Sequence, residues 1–533
     1  MTQDKELKAF EKILKSDSRR EFLKQMGAAL GGVALTGGGA IGPLFGQTPL
    51  PSGYNFFIVW TAGLPKINGI PNPVGGLGAA VMLGSFQATG KPETDVIYFH
   101  GTTTEQAHSG SPQALFRAIV DYSGPKPVVN NLFIEVAEGD SLTKVEGVPS
   151  DELPLVVGTL GIGSANSSAH YATTITVNDY GSEDDPNYSV PAKTAPGVYL
   201  LDPQFGWSKV ARLGDSVPDS PEGTQYGGIF GDVLLNEDDT VDFVAATTEM
   251  PPPPGLGAAS HRSHVPWATA THALIHGSPR DADDSYIVLK TGDRLPGTAA
   301  VVESIGLFNA IHQEFFVAQV NARRLDILNA LPGTAVVRGR LYPEGGAANR
   351  PDMELLTGSR VLFANGVAPH RDTLLGETFF GPRIGLDGLT AIVTHDPRSV
   401  RSGGSFDLMR LSTGGRQGRQ LIFQAGDVNA DTATAVGGPV VSPTTGLLYE
   451  IRVLSDGSTE LVVINQDKEE KVILRSGDEV NGYPITEILH GYHPAQVDPQ
   501  GRLPFGAEFI IDPKKDPMSP SNVMSCLVVG IPV

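Results

Sequence analysis

Tyr286-Ile287-Val288-Leu289-Lys290-Thr291-Gly292-Asp293-Arg294-Leu295-Pro296 is the stretch whose reading decides the fold. An apolar run ends in a Gly-Asp dipeptide, and a proline follows three residues after the Asp. Runs of β-branched and aliphatic residues favour strands. Glycine supplies a positive φ in a turn, and Asp folds its side chain back onto its own backbone. The same unit recurs at Lys209–Asp215 with Pro218, at Leu132–Asp140, at Leu421–Asp427 and at Val472–Asp478. Degenerate copies stand at Val361–Pro369, around Gly366, and at Phe57–Pro65, around Gly63.

A second half of the unit also recurs. Val233-Leu234-Leu235-Asn236 followed by Val241-Asp242-Phe243-Val244-Ala245 has counterparts in Gly306–Asn309 with Phe315–Ala318, and in Ala495–Asp498 with Phe505–Phe509. Each unit then reads strand, Asn/Asp turn, strand, polar loop, strand, turn, strand, Gly-Asp. Seven glycine marks, at 63, 139, 214, 292, 366, 426 and 477, lie roughly 50 to 78 residues apart, the size of a propeller blade. The expected fold is therefore all-β, a β-propeller of about seven four-stranded antiparallel blades. Tyr54–Trp60 reads as a fourth strand lacking the first three, and Met524–Ile531 as a third strand lacking a fourth. Pairing the two would close the ring and remove the exposed edges of an open sheet. The alternative is two adjoining β domains split near Pro251–Pro254.

Composition agrees with many short strands and turns. The 64 glycines and 41 prolines make up about a fifth of the 533 residues. Helical periodicity is nearly absent after residue 45; the best candidate, Ala310–Leu331, also reads as strand–turn–strand. One cysteine, Cys526, excludes intrachain disulfides, Cys-ligated clusters and c-type haem attachment. A net charge of −20 argues against nucleic acid, whose phosphates call for basic patches, and serves solubility.

The N-terminus carries an address. Ser18-Arg19-Arg20-Glu21-Phe22-Leu23-Lys24 precedes a mildly apolar, Gly/Ala-rich stretch from Met26 to about Phe45. Arg19, Arg20, Phe22 and Leu23 match the twin-arginine (Tat) export pattern, and the mild core suits that route. Residues 1–47 are thus expected to be a signal-peptide helix and 48–533 the propeller. The expected location is periplasmic or secreted, with the Tat translocase as export partner and no transmembrane domain beyond the signal segment.

The units resemble a family of exported bacterial Gly-Asp-repeat proteins whose unit reads apolar strand–x-x-Gly-Asp–x-x-Pro … Asn-x-x-Gly-x-x-x-Phe-x-Ala. The match runs over most of Tyr54–Val533, is clearest at 209–245 and 286–318, and departs where Gly-Asp or Asn is missing. The resemblance implies a β-propeller and an extracytoplasmic location. It carries over no catalytic residue.

Candidate chemistry is sparse. His261 and His264 form a His-x-x-His loop, and His272 and His276 share one strand parity. Four imidazoles so placed would hold zinc or copper; the competing assignment is exposed loop histidines beside a strand. His490 and His493 form a second pair. The acidic runs Glu183-Asp184-Asp185, Glu237-Asp238-Asp239 and Asp281–Asp284 offer oxygens for calcium, but their spacing fits inter-strand turns better. Gly161–Ala165 lacks the nucleophile-elbow pattern, and Gly75–Gly78 lacks the Lys of a phosphate loop. No cofactor is expected, a divalent Ca, Zn or Cu ion being the exception to test. The expected function is a monomeric extracytoplasmic scaffold that binds a protein or glycan. The alternative is a metal-dependent periplasmic enzyme of phosphatase or oxidoreductase type on the same fold.

Overall fold

The computed structural model describes residues 48–533 apart from 65, 84–92, 104–112, 141–154, 162, 180–192, 249–270, 280–283, 313–314, 342–352, 364–377, 386–389, 397–406, 413–418, 424–432, 437–438, 443, 490–495, 513 and 515–521. The export signal at 1–47 lies outside the described residues, as do Gly366 and Gly426.

Seven antiparallel sheets follow one another along the chain. Blade one is Val74–Leu83, Thr94–Thr103, Gln113–Asp121 and Val128–Ala137. Blade two is Leu155–Leu160 (extended by Ser164–Ala165), Tyr171–Asp179, Lys193–Asp202 and Gly206–Arg212. Blade three is Gln225–Leu235, Val241–Thr248, Thr271–Gly277 and Tyr286–Lys290. Blade four is Ala300–His312, Phe315–Arg324, Gly333–Arg340 and Glu354–Gly358. Blade five is Thr378–Ile384, Ala391–Asp396, Asp407–Leu411 and Arg419–Phe423. Blade six is Ala433–Val436 (extended by Val440–Val441), Leu448–Leu454, Thr459–Ile464 and Glu470–Arg475. Blade seven takes Tyr483–Ile488, Leu503–Ile510 and Val523–Pro532 from the end of the chain and Tyr54–Thr61 from its beginning.

That last pairing closes the ring as the sequence suggests. Tyr54 lies opposite Pro532 and Thr61 opposite Cys526, with one bulge between Ile58 and Trp60. The core is divided accordingly, one apolar cluster filling each of the seven seams between neighbouring blades. Tyr98 and Leu115 of blade one pack with Tyr171 and Trp207 of blade two. Ile97 and Phe99 turn the other way, onto Trp60, Leu527 and Val529 of blade seven. Both faces of each blade are buried, so a strand such as Val96-Ile97-Tyr98-Phe99 is continuously apolar rather than alternating.

The Gly-Asp turns join the blades. Gly63, Gly139, Gly214, Gly292 and Gly477 all have φ between 76° and 96°. The Gly292 N–H donates to Val302 O on the inner strand of the next blade at 2.8 Å, and the Val302 N–H returns a bond to Asp293 O at 2.9 Å. Gly139, Gly214 and Gly477 make the same exchange with Val157, Tyr226 and Ile485. The Asp carboxylate caps the turn, Asp293 Oδ2 accepting from the Lys290 N–H at 2.9 Å and Asp478 Oδ2 from Arg475 at 2.7 Å. The apolar residue two positions after the Asp (Val217, Leu295 or Val480) is buried beneath the turn. These dipeptides are scaffolding between blades.

Two expectations are corrected, at Pro251–Pro254 and at Val361–Phe363. Pro251–Pro254 falls outside the described residues, but its flanking strands pair directly, Thr247 opposite Thr271 and Val241 opposite Gly277, so it interrupts one sheet and divides no domains. Ala310–Leu331 takes the strand–turn–strand form that its sequence also allowed, with strands to His312 and over Phe315–Arg324 followed by a loop. Val361–Phe363 is no strand: blade four ends at Gly358, and Arg360–Leu362 is a 3₁₀ turn. Ser359 holds the place of Thr291 and Ser476, so the Gly-Asp positions fall on Arg360 and Val361, which lack the residue that takes a positive φ cheaply.

A Cβ added at Gly292 meets nothing within 4 Å. Gly292→Ala should therefore cost about 1–2 kcal/mol from backbone strain alone. Asp293→Ala should cost about 1 kcal/mol through the lost cap. Urea denaturation checks both; an unchanged midpoint for Gly292→Ala would mean that the turn does not constrain the ring.

Candidate functional site

His261, His264, His490 and His493 lie outside the described residues. His272 and His276 are described and both buried. Four residues of strand span about 13 Å, too far for two imidazoles to share one ion whose ligand bonds are about 2 Å. Each has other work.

His272 begins the third strand of blade three. Its Nδ1 accepts from the Ile305 N–H on the inner strand of blade four at 3.1 Å. Its own N–H donates to Thr291 Oγ1, and the Thr291 N–H returns to His272 O, both at 2.9 Å. Thr334 in blade four and Thr459 in blade six occupy the same place. Their Oγ1 atoms accept from the N–H groups of Phe379 and Ile488 on the following blades, at 3.2 and 2.8 Å. Their own N–H groups donate to Ser359 and Ser476, each at 2.9 Å. His272 thus fills a position that threonine fills elsewhere, a seam staple.

His276 lies directly across from Asp242, Nδ1 to Oδ1 at 3.0 Å, with its ring 4.9 Å from that of Tyr286. Burial alone would lower its pKa, but the charge and hydrogen bond of Asp242, helped by Asp238, outweigh burial and raise it. The acidic turn Glu237-Asp238-Asp239 is also a seam element. Asp239 Oδ1 accepts from Asn166 Nδ2 at 2.9 Å and lies 2.6 Å from His170 Nδ1 in blade two, while Glu237 accepts from Ser167. Glu183–Asp185 and Asp281–Asp283 lie outside the described residues. Among the described residues no three His, Cys, Asp or Glu side chains group as a metal site. Cys526 is buried, and burial pushes its thiol up to about 12.

Sequence reasoning missed a strongly perturbed group, Asp95. This fully buried residue of blade one meets Arg502 of blade seven, Oδ1 to Nη2 at 2.9 Å. Arg502 also binds Asp498 through Nε, and its guanidinium stacks 3.9 Å over the Tyr122 ring. Burial and the nearby Asp498 raise Asp95 to about 8, against the opposing pull of Arg502. Two carboxylates sharing one guanidinium latch the closing seam.

Among the described residues, two apolar features stand at the surface. In an up-and-down blade the connections from strand two to three, and from strand four to the next blade, lie at one end. On that end blade four presents Leu325, Ile327, Leu328 and Leu331, exposed by 66, 46, 91 and 62 %. The loop is braced: Arg324 Nε donates to Asp326 Oδ1 at 2.8 Å, Arg324 Nη1 donates to Phe363 O at 2.8 Å, and Ala330 is buried beneath. A groove of about 430 Å³ lies over blade seven, most of it lined from strand ends on that same side (Thr61, Tyr483, Phe509, Met524), with Lys126 reaching it from the strand-three-to-four connection of blade one. Phe57, Leu64, Tyr483, Phe509, Ile511 and Met524 line it, and Lys126 of blade one stands at its rim. Contiguous exposed apolar surface of this kind marks interaction sites.

No family model and no curated protein matches the chain. Solved structures do. A Mycobacterium tuberculosis puromycin-hydrolysing peptidase is 11% identical at a TM-score of 0.40, over 86% of this chain and 53% of its own. This chain thus spans about half of that peptidase's length. The β-propeller domain of the Trilobed protease from Pyrococcus furiosus is 10% identical at 0.37, over 82% and 88% of the two chains. The Dos1 propeller is 9% identical at 0.36, over 90% and 95%. The class of protein is a seven-bladed β-propeller closed by its first and last strands, and identities this low show the fold alone.

Two predictions follow from the seams. Thr and Val are nearly isosteric, so only the acceptor separates His272→Thr from His272→Val; the Val variant should be less stable by about 1–3 kcal/mol in urea melts. Equal stability would show that Ile305 does not depend on the staple. Asp95 holds its proton more tightly when folded than unfolded, so its contribution is complete below the ordinary carboxylate pKa and is lost as pH rises through about 8. Asp95→Asn should flatten that fall between pH 4 and 8, and should melt higher than wild type at pH 8; an unaltered pH profile would contradict the latch.

Proposed function

We propose that this chain is an extracytoplasmic β-propeller acting as a binding scaffold, carried across the membrane by the twin-arginine route before its ring is put to use. The observation that carries the proposal is the division of side chains between seam and surface. Buried titratable groups such as Asp95, Asp242, His272 and Asp498 hold blades or strands to one another. The braced Leu325–Leu331 loop, by contrast, holds its aliphatic side chains outward. A rigid loop tip of this kind loses little entropy on docking, as pre-organised binding surfaces do. Export of a folded chain also suits this topology, because blade seven needs both chain ends before it exists.

Cell fractionation with in-cell crosslinking tests both halves. Wild type is expected outside the inner membrane in complexes larger than the monomer, and Arg19→Lys with Arg20→Lys should leave it in the cytoplasm. Leu328→Asp with Leu331→Asp should dissolve the complexes while changing stability by no more than about 0.5 kcal/mol, since both residues are exposed. Crosslinks untouched by the tip variant would sink the scaffold proposal.

A further inference from the structure

The chain displays a convex aliphatic tip and a concave apolar groove, and we infer that they are made for each other: the partner seated on this face is a second copy of the same chain. The inference rests on the scaffold proposal and gives the partner of that face. Four features of the molecule support it.

The first is concentration. Of the 13 large apolar side chains exposed among the described residues, Leu325, Ile327, Leu328 and Leu331 belong to the tip and Leu64, Tyr483 and Ile511 line the groove, while Phe205 and five others lie elsewhere. The second is shape. The groove, at about 430 Å³, has room for several aliphatic side chains, and Leu328, 91 % exposed, is the most prominent knob on the face. The third is charge: Asp326 flanks the tip with its carboxylate about half exposed, and Lys126 stands exposed beside the groove. Opposite charges at the rim of an apolar contact fix orientation more than affinity.

The fourth is symmetry. The tip and the strand ends that line most of the groove share one end of the ring, three blades apart. A twofold axis lying in the plane between two stacked rings, and bisecting the angle between tip and groove, sets each tip over the other copy's groove. Both contacts then form together and the assembly closes as a dimer, where a tip and groove on opposite ends would have propagated a fibre. Closure matters for size as well. One loop in one groove falls short of the ~1,000 Å² of a specific interface, and two reciprocal contacts approach it.

Sedimentation velocity of the chain purified from cells, over a concentration series, tests the inference. A dimer is expected. Leu328→Asp in the tip should raise its dissociation constant about 30-fold or more, and Ile511→Asp in the groove should do likewise. Mixing the two variants should restore association above either alone, because the intact tip of one meets the intact groove of the other. Added salt, from ~50 to ~500 mM, should strengthen the dimer, since it screens the repulsion of two bodies of net charge −20. Monomer at every concentration overturns the inference, as does a dimer indifferent to both variants or one that mixing fails to rescue. A monomer that instead binds neutral liposomes through Leu328 also overturns it and assigns the tip to a bilayer. If the purified chain is monomeric while complexes in cells still need the tip, the self-association falls and the scaffold proposal stands.

Discussion

A β-sheet that is apolar on both faces cannot stand alone in water, and every blade of this molecule is such a sheet. Val96 and Tyr98 face one neighbour while Ile97 and Phe99 face the other. Each blade is therefore stable only between two others, and the series has no natural end. The ring solves this by making the first blade the neighbour of the last, and the last blade is itself built from both ends of the chain. Burial of apolar area, at about 25 cal/mol per Å², then accumulates around seven seams without a terminal cap of the kind an open repeat array needs.

Hydrophobic burial is non-directional, so something else must set the angle and height of each blade. The polar groups do this. Positive-φ glycines carry the backbone from an outer strand to the next inner strand, the following Asp caps the turn, and an acceptor on the third strand receives an N–H from the next blade. Between blades one and seven the chemistry is heavier: two carboxylates share one guanidinium, and burial raises the pKa of Asp95. Asp95, Asp242, His272 and Asp498 are taken up by the architecture, and the exposed tip of blade four is aliphatic.

Much of this was legible in the sequence. The Gly-Asp dipeptides at 139, 214, 292 and 477 mark blade junctions, and the orphan strand patterns at Tyr54 and Met524 announced the closure, because turn chemistry and strand length are local properties. The site was less legible. His272 and His276 looked alike as two imidazoles on one strand face, but only the fold shows that one replaces a threonine and the other opposes Asp242. Asp95 is followed by Val96-Ile97-Tyr98, with nothing to mark it, since its partner Arg502 lies 407 positions away. The tip left a trace in the run Leu325–Leu331, where four large aliphatic residues crowd a loop. Without strand boundaries that run passed for the end of a helix or strand.

Hydrogen exchange of the backbone amides tests ring closure most directly. If the ring depends on its first strand, Tyr54–Thr61 should be as protected as its partner Val523–Pro532, and both should open only with the whole molecule. Exchange of Tyr54–Thr61 in a separate, faster step, while Val523–Pro532 stays protected, would contradict the account: the ring would hold without its first strand.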